Sequence, residues 1–362
     1  MTLVADLKNQ KTVQFILHCF SLRPAAVLTL LLSVLVAAGC SFLGPELQAS
    51  QGQIMGTWYH VKWSDEGLDA DTEEVSSGIL SKLQEVDLLM STYKPESELS
   101  RFNQSEPDVW FALSKPTTEV FDIAHEVSQK SGGAFDVTVG KLVNMWGFGP
   151  QYKPTQVPSD QDIAKALSEV GFDVLELDTA SQKIRKNTPV YVDLSAVAKG
   201  YAVDRVALYL ESLGIKGYMV EVGGEVRTKG VKPDGSKWRI AVESPVVGER
   251  RVQDVLELED MGMATSGDYR NFYEEGGIRY SHTIDPRTGR PIKHSLASVT
   301  VLDPSVGYAD AWATAMMVLG EEQGFEVAVK QNMAVLFLVK DGSGFKELAT
   351  PGFKKLTGMP KE

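Results

Sequence analysis

The run Ser281-His-Thr-Ile-Asp-Pro-Arg-Thr-Gly-Arg-Pro-Ile292 sets an imidazole, a carboxylate and a proline/glycine turn beside one another. Histidine exchanges a proton near neutral pH, and such a turn holds its neighbours rigidly. Downstream lies Asp310-Ala-Trp-Ala-Thr314, with a carboxylate and a hydroxyl at i, i+4 spacing on one helix face. Both are hard oxygen donors of the kind Mg²⁺ or Ca²⁺ prefers. A rigid proton-handling loop beside a hard-cation pair suits phosphoryl transfer better than redox or nucleic-acid work. On spacing alone, Asp310 as a helix cap with Thr314 packed against it is an equally simple account. His282 is one of five histidines, and His60, His125 and His294 have no comparable polar motif around them.

A second run, Asp193-Leu-Ser-Ala-Val-Ala-Lys-Gly-Tyr-Ala-Val-Asp204, reads as a strand end turning into a helix that carries Lys199. A helix N-terminus offers free N–H donors and the positive end of the dipole, which favours phosphate. The lysine adds a point charge. An Asp/Ser cap followed by a solvated lysine explains the same residues. Gly132-Gly-Ala-Phe-Asp136 and Gly223-Gly224-Glu225 are turns that let backbone approach a ligand, or turns and nothing more. Neither has the strand–GxGxxG–helix context of a dinucleotide fold, and no Walker P-loop pattern occurs.

The elements that must position these residues follow from periodicity. Val75, Ile79, Leu83 and Val86 recur at helical spacing within Asp71 to Met90. Thr117 is expected to cap a second helix that stops at Gly132-Gly133, and Ser159 a third that ends at Gly171. A helix from about Ala196 to Leu213 and another around Ala309–Leu319 carry the two chemical runs. Strands are expected at Gly56 to Trp63, Val174–Leu177, Lys183–Lys186, Val190–Val192, Tyr218–Val222, Trp238–Val242, Val255–Leu258, Tyr280–Ile284, Ala297–Val301 and Ala334–Val339. Helices and strands mix without strict alternation, so the class is α+β. No Pro/Ser-rich linker divides residues 53–358, which read as one domain.

Of the 362 residues, 43% are hydrophobic and 23% charged, an ordinary globular composition. Lys8, Lys11 and Arg23 precede an uncharged run from Pro24 to Gly39, shorter than the ~20 residues a membrane span needs. It ends in Val36-Ala-Ala-Gly-Cys40, which resembles a bacterial lipoprotein signal: residues 1–39 are removed and Cys40 is lipidated. Residues 40–52 are then a polar tether, and the chain works on the periplasmic face of a bacterial membrane, with Ser41 favouring the outer one. Only Cys19 and Cys40 exist, so the remaining chain has no disulfide and no thiolate zinc site. The formal charge is −12, and the removed segment is net basic, so what remains is more acidic still. No basic patch is available to grip nucleic acid.

Taken in order, Met55-Gly-Thr57, Ser91-Thr-Tyr93 with Ser97 to Asn103, Gly132 to Asp136, Asp193 to Gly200, Gly223-Gly224, Ser266-Gly-Asp268, Ser281 to Pro291 and Asp310 to Thr314 resemble the ApbE family of flavin transferases. The resemblance covers about residues 53–340. It implies a T-fold-like α+β architecture around an FAD cleft, with Mg²⁺ required. It implies that FAD is split, AMP leaves, and FMN is joined by a phosphoester to a threonine hydroxyl. Acceptors in the family are membrane or periplasmic flavoprotein subunits of ion-pumping redox complexes. Carried over by position, Met55 and Tyr93 contact the flavin; Ala134, Phe135 and Asp136 line the cleft; Asp193, Lys199 and Ile284 contact FAD. Asp310, Thr314 and the carbonyls of Ala196 and Ala313 hold Mg²⁺. A threonine hydroxyl needs its proton removed, and an imidazole of ordinary pKa ~6.5 does so at neutral pH. His282 is the candidate base, with Asp285 orienting it or serving instead. An FAD pyrophosphatase and a non-catalytic flavin-carrier lipoprotein are the rival readings.

Overall fold

The computed structural model describes residues 45–150, 157–246, 251–269, 271–342 and 344–360. Its framework is an eight-stranded sheet whose strands are numbered here β1–β8: Leu47–Ile54, Thr57–Ser64, Tyr218–Val222, Glu225–Lys229, Met261–Gly267, Leu296–Asp303, Ala334–Asp341 and Gly344–Ala349. They lie in that order across the sheet, each antiparallel to the next. The α+β class therefore stands.

Strand β7 shows why the sheet is buried on both sides. Val335 and Phe337 enter the large core, while Ala334, Leu336 and Leu338 enter a second core. Successive side chains of a strand point to opposite faces, so a continuous apolar run requires cover on each. The large core is completed by four long helices, α1 (Thr72–Met90), α2 (Lys115–Lys130), α3 (Ser195–Ser212) and α4 (Val306–Lys330), with Leu99 and Phe102 of the short helix Glu98–Gln104. The second is closed by the hairpin of Trp238–Ser244 with Arg251–Leu258 and by Phe353 of the short helix Pro351–Thr357.

Helix α1 starts where Asp71 accepts the Glu74 N–H at 2.7 Å, and it buries Val75, Ile79, Leu83, Val86 and Met90 along one stripe. In α2 the cap is Ser114, not the expected Thr117, which lies inside the first turn behind a proline. Helix α4 runs past the expected Leu319 to Lys330, kinked at Gly320, where φ is 77°.

Three expectations fail for physical reasons. The expected tether is already sheet: β1 begins at Leu47 and pairs with β2 along its length, Leu47 with Ser64 through Ile54 with Thr57. Its polar edge position hides it, because ladder hydrogen bonds rather than burial hold it. Val190–Val192 forms no strand; only Tyr191 bridges, to Val139. The Asn103 side chain takes the strand's place, donating to the Val192 carbonyl and accepting from its N–H, both at 2.8 Å. Tyr280–Ile284 splits into Ile278–Ser281, paired with Phe272–Glu275, and Ile284–Asp285, paired with Arg290–Pro291. His282 and Thr283 fall at the break.

Candidate active site

Helices α3 and α4 cross at Gly200. A Cβ there would lie 2.2 Å from the Val306 carbonyl oxygen and 2.8 Å from the Asp310 Cβ. Without one, the Gly200 N–H reaches Asp310 Oδ2 at 3.0 Å. The same carboxylate oxygen lies 3.5 Å from Lys199 Nζ, and Glu225 Oε1 lies 3.0 Å from that nitrogen on another side. Glu225 is delivered by β4, directly after the turn Gly223-Gly224, where φ is 65° and 104°. At Gly223 a side chain would also press on Thr57 at 3.0 Å and on Glu225 Oε2 at 3.4 Å.

The two carboxylates are nearly sealed from water, Asp310 3% exposed and Glu225 4%, while the Lys199 side chain keeps 29% of its surface open to the cavity. Burial pulls the Lys199 ammonium down, but Asp310 and Glu225 more than offset it, and it is held firmly protonated. Burial pushes the Glu225 carboxyl up, to about 8, against the pull of Lys199 and with added repulsion from Asp310. Glu225 Oε2 is buried with no hydrogen-bond partner.

Four residues along α4, the Thr314 hydroxyl stands 3.2 Å from Ser266 Oγ of β5. Asp310 and Thr314 share a cavity wall with Ala196 and Ser195 of the first turn of α3. Among the described residues no three His, Cys, Asp or Glu side chains gather as a metal cluster. A cation at Asp310 would therefore draw on hydroxyl, carbonyl and ligand phosphate oxygens, the mode Mg²⁺ favours.

His282 closes the cavity from the opposite loop. Its main-chain N–H and its Nδ1 both meet the Asn271 carbonyl, at 3.2 and 3.0 Å. A carbonyl only accepts, so Nδ1 carries the proton and Nε2 keeps its lone pair. Burial lowers the His282 pKa, and Lys199 lowers it further, against the Asn271 carbonyl and Asp268. The loop rests on a third apolar cluster that includes Leu142, Trp146, Tyr280 and Ile284. Trp146 Nε1 donates to the Gly289 carbonyl at 2.8 Å, tying the turn after Asp285 to that cluster.

The cavity encloses about 460 Å³. Of the residues expected from sequence, Tyr93, Ala134, Phe135, Asp136, Asp193, Ala196, Lys199, His282, Ile284, Asp310 and Thr314 all line it. Tyr93 is 69% exposed at its rim. Asp193 Oδ1 accepts the Ser195 N–H at 2.9 Å, and Asp136 Oδ1 accepts the Thr138 N–H at 2.8 Å, so each carboxylate also shapes its own turn.

Three expected residues do not line it. Met55 forms the two-residue turn between β1 and β2 and packs partly buried on the large core. Its φ of 52° and the 71° of Gly56 are those of a type I′ hairpin turn. Ala313 is fully buried beside Thr314. The Asp285 carboxylate binds the Arg287 guanidinium at 2.9 Å and accepts the Arg287 N–H, so His282 is oriented by the Asn271 carbonyl instead. Cys40 lies outside the described residues. Asn271, which lines the cavity, was not singled out by the sequence, and Glu225, also in its wall, stood there only as the end of the Gly223-Gly224 turn with no role for its carboxylate.

A match to the ApbE family spans residues 55–337. The chain belongs to the ApbE family. It is 47% identical over 328 residues to a Vibrio cholerae protein named FAD:protein FMN transferase, covering 90% of this chain and 97% of that one. An Escherichia coli protein of the same name is 41% identical, covering 85% of this chain and 89% of the relative. Among solved structures, the flavin transferase ApbE from Vibrio cholerae superposes with a TM-score of 0.80 at 46% identity, covering 86% of this chain and 99% of that one. The apo flavinyl transferase ApbE of Pseudomonas stutzeri gives 0.81 at 39% identity, covering 88% and 99%.

Proposed function

We propose that this ApbE-family chain is an FAD:protein FMN transferase that moves FMN from FAD to a threonine hydroxyl of an acceptor flavoprotein and releases AMP. The observation that carries the reading is the meeting of Lys199, Asp310, Thr314 and His282 in one cavity, in a chain closely similar to proteins of that name.

The threonine oxygen attacks the phosphorus of the FMN half. Its proton passes to His282 Nε2, the P–O bond to the AMP half breaks, and AMP leaves with that electron pair. Lys199 offsets the charge that gathers on the phosphate oxygens. Mg²⁺, when bound, would neutralise pyrophosphate charge from a site built of Asp310, Thr314 and the main chain at Ala196 and Ala313. The placing of the Asp310 and Thr314 side chains beside Ala196 in one cavity wall supports that assignment. Tyr93, with Phe135 and Ile284 in the same wall, supplies apolar and aromatic surface for the flavin end. The same reading puts the chain on the periplasmic face of a bacterial membrane through lipid on Cys40, with the sequence around that cysteine as its support.

Incubating the purified chain with FAD, Mg²⁺ and a peptide bearing a family-type acceptor threonine tests this directly by mass spectrometry. The peptide is expected to gain one FMN less water, and EDTA or Asp310→Ala is expected to abolish the gain. Free FMN and AMP with an unmodified peptide would replace the transferase by a pyrophosphatase. Intact FAD would leave a carrier.

A further inference from the structure

Lys199 has two carboxylates to choose from, and only one of them belongs to the candidate cation site. Nζ sits 3.0 Å from Glu225 Oε1 and 3.5 Å from Asp310 Oδ2. If the ammonium closed fully onto Asp310, it would occupy the carboxylate a divalent cation needs. Glu225 prevents this by geometry. It projects from a different element, the start of β4, and its other oxygen is buried without a donor. Among the described residues Lys199 is the side chain that pairs with this carboxylate, which is itself almost fully buried, so the attraction between the two is less screened than at the surface.

We infer that Glu225 is a positioning residue: it draws the Lys199 ammonium off Asp310, leaves that carboxylate open to the cation, and keeps the lysine beside the phosphates once the cation is in place. The inference rests on the cation reading of Asp310 given above. It also accounts for the turn that precedes Glu225. Gly223 is the one turn residue whose Cβ would touch the Glu225 carboxylate, so the turn leaves that carboxylate free to lean on Lys199.

A role through Lys199 differs from direct ligation in a double-mutant cycle. Titrate Mg²⁺ alone into the purified full chain by calorimetry, for wild type, Glu225→Gln, Lys199→Met and the double variant, with melting temperature as the folding control. Glu225→Gln is expected to weaken Mg²⁺ binding about ten-fold or more, because the released ammonium settles on Asp310. In the Lys199→Met background the same change is expected to cost no more than about three-fold, the loss of one nearby negative charge. Lys199→Met alone is expected to tighten binding, and that arm decides the matter even if Glu225→Gln fails to fold. An equal loss in both backgrounds would make Glu225 a direct ligand and overturn the inference while the cation site stands. Lys199→Met binding no tighter than wild type would overturn it as well. If wild type takes up no Mg²⁺, the cation reading falls and the inference with it.

Discussion

At the scale of single residues, the candidate base makes the sharpest statement about pH. Burial holds the His282 imidazole below its ordinary pKa, and the Asn271 carbonyl fixes its proton on Nδ1. The folded chain therefore binds fewer protons at this residue than the unfolded chain. Its contribution to stability is full above the unfolded value near ~6.5 and is lost as pH falls through the lower folded value. Transfer should hold its rate down to pH ~6.5 and fall only below it. Denaturant midpoints of wild type and His282→Gln, followed from about pH 8 to about pH 5, are expected to run parallel above pH ~6.5. Below that, the wild type should lose stability relative to the variant. Parallel behaviour throughout would mean the imidazole is not held down by burial. The histidine itself was readable in the sequence because its neighbours are dense in turn and polar types. Its orienting group was not, since a main-chain carbonyl carries no residue signature. Asp285 stood close in sequence, but the turn that makes the loop rigid commits its carboxylate to Arg287. Glu225 was read only as the end of a glycine turn, because one carboxylate opening a strand looks like ordinary surface alternation until the fold buries it.

At the scale of elements, the site depends on how closely α3 and α4 approach. The contact is made of backbone: Gly200 N–H to Asp310 on one side, and the Gly200 Cα against the Val306 carbonyl on the other. Asp204, one turn further along α3, accepts from Ser305 Oγ at 2.8 Å and from Gly307 N at 3.0 Å, pinning the start of α4. Gly200→Ala puts a methyl group where the Val306 oxygen now sits, and a backbone carbonyl cannot swing aside. The helices must part, at a cost of about 1–3 kcal/mol for overpacking. Urea denaturation should report that loss. Mg²⁺ affinity should fall as well, because Asp310 and Thr314 on α4 move away from Ala196 in the first turn of α3. A variant as stable as wild type with unaltered Mg²⁺ affinity would show that the crossing has slack. Both helices were legible as helices from their spacing, to within a few residues at the start of each. Their crossing was not, because Gly200 reads in sequence only as a weak helix former. Strands were legible where apolar residues alternate, as in Tyr218–Val222. They were lost where the sheet uses glycine, charge or an edge, as in β1, β4 and β5.

At the scale of the whole molecule, the described residues form three apolar clusters that divide the labour, and two of them touch the chemistry. The large core carries α3 and α4, and the small cluster around Leu142 and Trp146 carries the His282 loop. The second face of the sheet, closed by Phe353, contributes no residue to the cavity wall. That face buries its apolar side chains to complete the sheet. Stability and activity should therefore separate between the clusters. Phe353 and Leu142 are both fully buried. Truncating either to alanine leaves a cavity and should cost about 3–5 kcal/mol for Phe353 and about 2–5 kcal/mol for Leu142. Their catalytic effects should differ. Leu142 lies under Gly289, with its Cδ2 3.3 Å from where a Cβ on that glycine would be, so its loss loosens the turn that follows His282. A displaced base lowers the transfer rate steeply, since misplacement of about 1 Å costs up to about a hundred-fold. Single-turnover FMN transfer, measured where both variants remain folded, is expected to stay within about two-fold of wild type for Phe353→Ala and to drop at least about ten-fold for Leu142→Ala. Equal losses in the two would mean that the sheet's second face also sets the geometry of the cavity, and that the molecule works as one mechanical unit rather than as a site carried on two of its three cores.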